Sequence, residues 1–117
     1  MKGAMFIGWG EIFPGYREKA LKVFSEALQF WGGLLKKGDI DSFDPVFLDY
    51  HGGDLTGFIL VRGDREKLMK LRGSSDFERL NTRSALVVAN FGVVDAFVGE
   101  EIQHRTSEFQ KQLSDLD

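Results

Sequence analysis

Three short segments of this chain leave no side of a β-strand for water. "GAMFIGWGEI" (3–12), "LTGFILVRG" (55–63) and "ANFGVVDAFVG" (89–99) are too short for core helices and rich in aromatic and branched residues, so each reads as a strand. A strand with one wet face alternates apolar with polar residues. Here Met5, Ile7 and Trp9 alternate with Ala4, Phe6 and Ile12, and Phe58 and Leu60 with Ile59 and Val61. In the last segment Phe91, Val93 and Phe97 alternate with Val94, Ala96 and Val98, and Asp95 is the lone charge. Both faces of such a sheet need cover.

The remaining segments supply the other elements. From Tyr16 to Lys37, Ala20, Phe24, Ala27, Leu28, Trp31, Leu34 and Leu35 recur at helical spacing behind Pro14, and Gly38 is the natural stop. Gly32 and Gly33 inside that stretch predict a bend or a close backbone approach. "IDSFDPVFLDYH" (40–51) reads as a strand that Pro45 confines to an edge or a bulge, and "HGGD" then makes a hairpin with the segment at 55–63. Asp64 caps a short helix, "REKLMKLRG", and Ser75 with Glu78 forms a capping box for a second, "DFERLNTRSAL". Ile102, Phe109, Leu113 and Leu116 mark a terminal helix. The order is βαββαβ plus a C-terminal helix, an α+β class, in one domain spanning 1–117.

The connections of a βαββαβ unit pass on one side, so its helices cover one sheet face. Five large side chains left wet on the other face forgo on the order of 10 kcal/mol, at roughly 2 kcal/mol each. A second copy of the same sheet is the simplest cover, which predicts a homodimer.

The βαββαβ order, the first helix ending "FWGGLLKKGDI", the hairpin through "HGGDLTGFILVRGD" and the "SSDFERL" helix together resemble the ferredoxin-like dimeric α+β barrel superfamily. Relatives there include antibiotic-biosynthesis monooxygenases and stress-responsive barrel proteins, and the chain is similar to a bacterial subgroup of that fold. The likeness covers nearly the whole chain through element order and pattern. It implies a four-stranded antiparallel sheet in each subunit, two sheets facing each other as a barrel, and a ligand cavity between sheet and helices.

Composition narrows the function classes. The net charge of −3 provides no global field for nucleic acid, although Arg62, Arg65, Lys67, Lys70, Arg72, Arg79 and Arg83 fall in one segment that reads as a solvated helix face. Cysteine is absent, which removes disulfides and thiolate chemistry together and fits a reducing compartment. No apolar run is long enough for a bilayer and the start shows no cleavable leader, so a cytoplasmic protein without membrane contact is expected.

Sites are judged by chemistry. His51-Gly52-Gly53 lacks the serine elbow that a hydrolase oxyanion loop serves, the glycines at 8, 10 and 15 miss the dinucleotide spacing, and Arg62-Gly63-Asp64 reads as a strand end and helix cap. Asp49 and His51 lie two apart on a strand and so on one face, where a carboxylate orients an imidazole for general-base work. A metal at that pair would need a third ligand from Glu11, Asp54, Asp95 or His104, which nothing in the sequence brings together, so neither a metal nor a cofactor is expected. The fifteen aromatics, eleven of them Phe, are mostly core. Trp9, Trp31, Tyr50 and His51 carry polar handles as well, and an aromatic pocket with a few polar groups suits a small apolar or aromatic ligand. The resemblance also implies a second possibility, a cofactor-independent oxygenase or isomerase with His51 and Asp49 or Glu11 as proton acceptor and Arg62 steadying an anion. A third is an interaction role in which the terminal helix clasps a neighbour.

Overall fold

The alternation in the strands becomes two different surfaces. A computed structural model describes all 117 residues. It orders β1 (Lys2–Trp9), α1 (Arg17–Lys37), β2 (Ser42–Phe47), β3 (Gly57–Asp64), α2 (Arg65–Arg72), α3 (Ser75–Ala85), β4 (Gly92–Ala96) and α4 (Glu100–Asp115). The strands form one antiparallel sheet in the order β2-β3-β1-β4, with β2 at an edge, where Pro45 costs no ladder bond on its open side.

Register fixes which residues share a face. Phe43, Val61, Met5 and Asp95 form one row, and Pro45, Ile59, Ile7 and Val93 the next, both beneath the helices. Met5, Ile7, Ile59 and Val61 pack there against Ala20, Val23, Ala27 and Trp31 of α1, Leu68 of α2, and Phe77 and Leu80 of α3. The charge in β4 is accounted for on the same face: Arg72 of α2 donates to Asp95 Oδ1 at 2.9 Å and to the Val93 carbonyl at 3.3 Å.

The opposite face has no helix over it. Asp44, Leu60, Phe6 and Val94 cross it as one row, flanked by Ser42, Arg62, Ala4 and Ala96 on one side and by Val46, Phe58, Gly8 and Gly92 on the other. Phe6 and Phe58 stack at 5.1 Å between centroids, and the Phe6 ring lies over Gly8, where an added Cβ would meet it at 2.6 Å. These rings shade one another, so Phe6, Val46, Phe58 and Leu60 are half-buried while Val94 is exposed. The bare face therefore costs less than a sum over fully solvated side chains.

Several boundaries differ from the sequence pattern. β2 stops at Phe47, and Leu48 to Thr56 form a loop, so Asp49 and His51 do not share a strand face. The cap of α3 is Ser74, whose hydroxyl accepts from Phe77 N at 3.3 Å, one residue before the expected Ser75. Asp64 caps α2 as expected, accepting from Lys67 N. α1 runs on through Gly32 and Gly33, and a Cβ at either would meet nothing within 4 Å, so no close backbone approach explains the pair. No helix is long and apolar enough to cross a membrane.

Candidate functional site

α1 and α3 do not close fully over the sheet. Between them lies a cavity of about 120 Å³, with 16 of its 18 lining residues hydrophobic. Two aromatic groups bound it. Trp9, Phe24 and Phe47 meet with centroids 5.1 to 6.3 Å apart. Trp31 and Phe77 stand 5.7 Å apart, edge to face, with Phe30 packed on both. Trp31 is 1% exposed and Phe47 is 67% exposed, so the first marks the floor and the second the mouth.

Local sequence produces this shape. Gly57 lets the Trp9 ring lie on the neighbouring strand, since a Cβ there would meet the ring at 2.8 Å. Gly10 carries the chain between two backbone carbonyls, those of Asp54 and Ala89, which a Cβ would meet at 3.0 and 2.9 Å. Its N–H donates to the Ala89 carbonyl at 2.7 Å, so the β2–β3 loop and the segment before β4 are both held at the end of β1.

Asn81 and Ser84, one turn apart on α3, are the polar side chains of the lining. The Ser84 hydroxyl already donates to the Leu80 carbonyl at 2.8 Å, which leaves the Asn81 amide as the polar group on offer. Outside the cavity, Arg83 grips Glu26 through two hydrogen bonds of 2.8 and 2.9 Å and ties α3 to α1. Those bonds hold the Glu26 carboxyl below its ordinary range and raise the Arg83 guanidinium.

The four residues singled out for ligand contact divide. Trp9 and Trp31 line the cavity. Tyr50 is fully exposed and His51 sits in the exposed loop, away from it. Both His51 nitrogens serve that loop: Nε2 lies 2.7 Å from the Leu55 carbonyl, and Gly53 N–H donates to Nδ1 at 3.3 Å. Such a pair of bonds fits the neutral ring with its proton on Nε2.

The candidate acid-base groups are likewise dispersed. Asp49 accepts from Tyr50 N at 2.8 Å, Glu11 is exposed just beyond β1, and Arg62 stands on the open sheet face. No hydrogen bond or ion pair joins any two of His51, Asp49, Glu11 and Arg62. No three His, Asp or Glu side chains converge as a metal would require. Phe24, Phe47, Phe77 and Asn81 also line the cavity, with no signal in the sequence that marks them as site residues. Phe24 and Phe77 carry ordinary helical core spacing, and only the packed fold shows that they leave a gap.

No family model and no curated protein sequence matches the chain. Among solved structures, it is similar to a dimeric protein of unknown function and ferredoxin-like fold from Bacteroides fragilis, with a TM-score of 0.59 and 10% identity over 81% of this chain and 94% of that one. At that identity the likeness speaks for architecture, and with the strand order β2-β3-β1-β4 it makes this chain a ferredoxin-like α+β domain.

Proposed function

We propose that this chain works as a homodimer, paired through the open sheet faces, in which each subunit holds one small neutral apolar or aromatic ligand between α1, α3 and the sheet. The carrying observation is the cavity of about 120 Å³ with no charged side chain in its lining. An apolar cavity of about 150 Å³ stays dry and accepts benzene, so the space here suits a single ring or a short branched chain. A charged ligand is disfavoured, because an ion buried without a partner costs several kcal/mol. The Asn81 amide favours a ring bearing one hydroxyl or carbonyl. The dimer rests on the uncovered row of Leu60, Phe6 and Val94, and the Bacteroides protein of like fold is itself dimeric.

The test is a thermal-shift and native mass spectrometry screen of phenols, benzaldehydes and short branched alcohols. Ala27→Leu serves as the cavity-filling control. Neutral ring compounds should raise the melting temperature of the natural chain and lose that effect in Ala27→Leu, whose own melting temperature stays level or rises. Binding that survives the filled cavity, or a panel without a single shift, removes the site.

A further inference from the structure

α4 is the least satisfied element of the subunit. Ile102, Phe109, Leu113 and Leu116 are 56%, 67%, 57% and 84% exposed, and with Thr106 they follow a four-three-four-three spacing along one side. A single helix of this length is marginal in water unless an apolar face packs on something. Its own subunit does not supply that surface. The first turn is pinned where Glu101, buried beside Gly3, pairs with Arg65, and Arg105 lies 4.3 Å from the Phe97 centroid. Beyond β1 and that ion pair with the first residue of α2, no other helix or strand packs against α4. The radius of gyration of 16.3 Å reflects this projection, against about 13 Å for a compact chain of this length.

Charge identifies the occupant. Residues 100–117 hold Glu100, Glu101, Glu108, Asp115 and Asp117 against Arg105 and Lys111, a net −3 that equals the charge of the whole chain. Residues 62–83 hold Arg62, Arg65, Lys67, Lys70, Arg72, Arg79 and Arg83 against Asp64, Glu66, Asp76 and Glu78, a net +3. Within the subunit, ion pairs engage Arg65, Arg72 and Arg83, which leaves Arg62, Lys67, Lys70 and Arg79 unpaired. Met69, 63% exposed, stands among them on α2 as an apolar landing point. One chain thus carries both halves of a complementary pair, and α4 is anchored so that only its first turn meets its own half.

We propose that α4 is an intersubunit arm: its apolar stripe docks on a second copy of this chain, with its acidic residues facing the basic α2–α3 surface there. A two-fold axis then satisfies both arms at once. The proposal builds on the dimer put forward above and adds a contact that the sheet faces do not require.

Sedimentation equilibrium on the full-length chain tests it. Phe109→Ser with Leu113→Ser alters side chains on the exposed stripe, so circular dichroism should show the fold retained, while the dissociation constant rises by roughly a hundredfold or more. Lys67→Glu with Lys70→Glu should weaken the dimer roughly tenfold at low salt, and adding Glu108→Lys with Asp115→Lys should recover most of that loss. A natural dimer whose dissociation constant the stripe variant leaves within about threefold overturns the arm while sparing the sheet-face pairing. Loss through the stripe variant with no response to the lysine reversals overturns the α2–α3 surface as its seat. A natural chain that stays monomeric overturns both.

Discussion

Trp31 and Tyr50 show how little a residue type says about place. Both pair an aromatic body with a hydrogen-bonding handle, yet Trp31 sits at the cavity floor and Tyr50 is wholly in water. Trp31 lies on the helical stripe that must face the sheet, so its burial is legible from spacing alone. Tyr50 follows Pro45 in a segment whose strand pattern runs on to His51, and nothing local announces that pairing ends at Phe47. His51 closes its own loop through Leu55 and Gly53. His51→Ala should therefore leave the affinity for ring compounds within about twofold while speeding amide exchange at Gly53, as hydrogen exchange with mass spectrometry will show. Glu101 is the reverse case, a charged residue that spacing marks as surface but that is 5% exposed against Arg65. Glu101→Ala should cost about 2 kcal/mol by urea denaturation, below the 3–5 kcal/mol of a fully buried pair because Arg65 keeps 29% of its side chain in water.

Among elements, helices and strands were readable and their junctions were not. Hydrophobic periodicity gives α1 almost to the residue, because Gly38 takes the left-handed turn at φ 79° that ends it. At α3 the serines at 74 and 75 offer equivalent chemistry, and the choice falls to Ser74, whose hydroxyl also donates to the Leu71 carbonyl at the end of α2. The cavity escapes such reasoning altogether, since it is the volume that α1 and α3 fail to fill. Their separation is set in part by the Arg83–Glu26 clasp. Because Glu26 titrates below its ordinary value of 4.5, the clasp stabilises the fold above that pH and its contribution fades as pH falls through the lowered value. The melting temperature should thus drop on acidification below about pH 4 more steeply in the natural chain than in Glu26→Gln. At pH 7 Glu26→Gln should melt a few degrees lower and release a bound ring compound faster, which calorimetry and stopped-flow mixing can follow.

For the whole molecule, the alternation in β1, β3 and β4 carried the furthest-reaching inference, that this sheet has two apolar faces and helices for one. The pairing register bears out the faces within the strands, while Ile12, past the end of β1, lines the cavity on the helix side instead of joining Ala4 and Phe6; the uncovered row through Leu60, Phe6 and Val94 is the surface left over. Val94→Arg puts a charge in the middle of that row at an exposed position, so the subunit should keep its melting behaviour while the dimer dissociates at micromolar concentration in sedimentation velocity runs. A dimer that tolerates this arginine would have to be built on other surfaces.

Trp9 and Trp31 are the chain's two tryptophans, and both line the same cavity. Intrinsic ultraviolet emission therefore reports on that one place without any attached dye. A guest settling against the indoles should quench or blue-shift the signal in proportion to occupancy, and the protein serves as its own optical sensor.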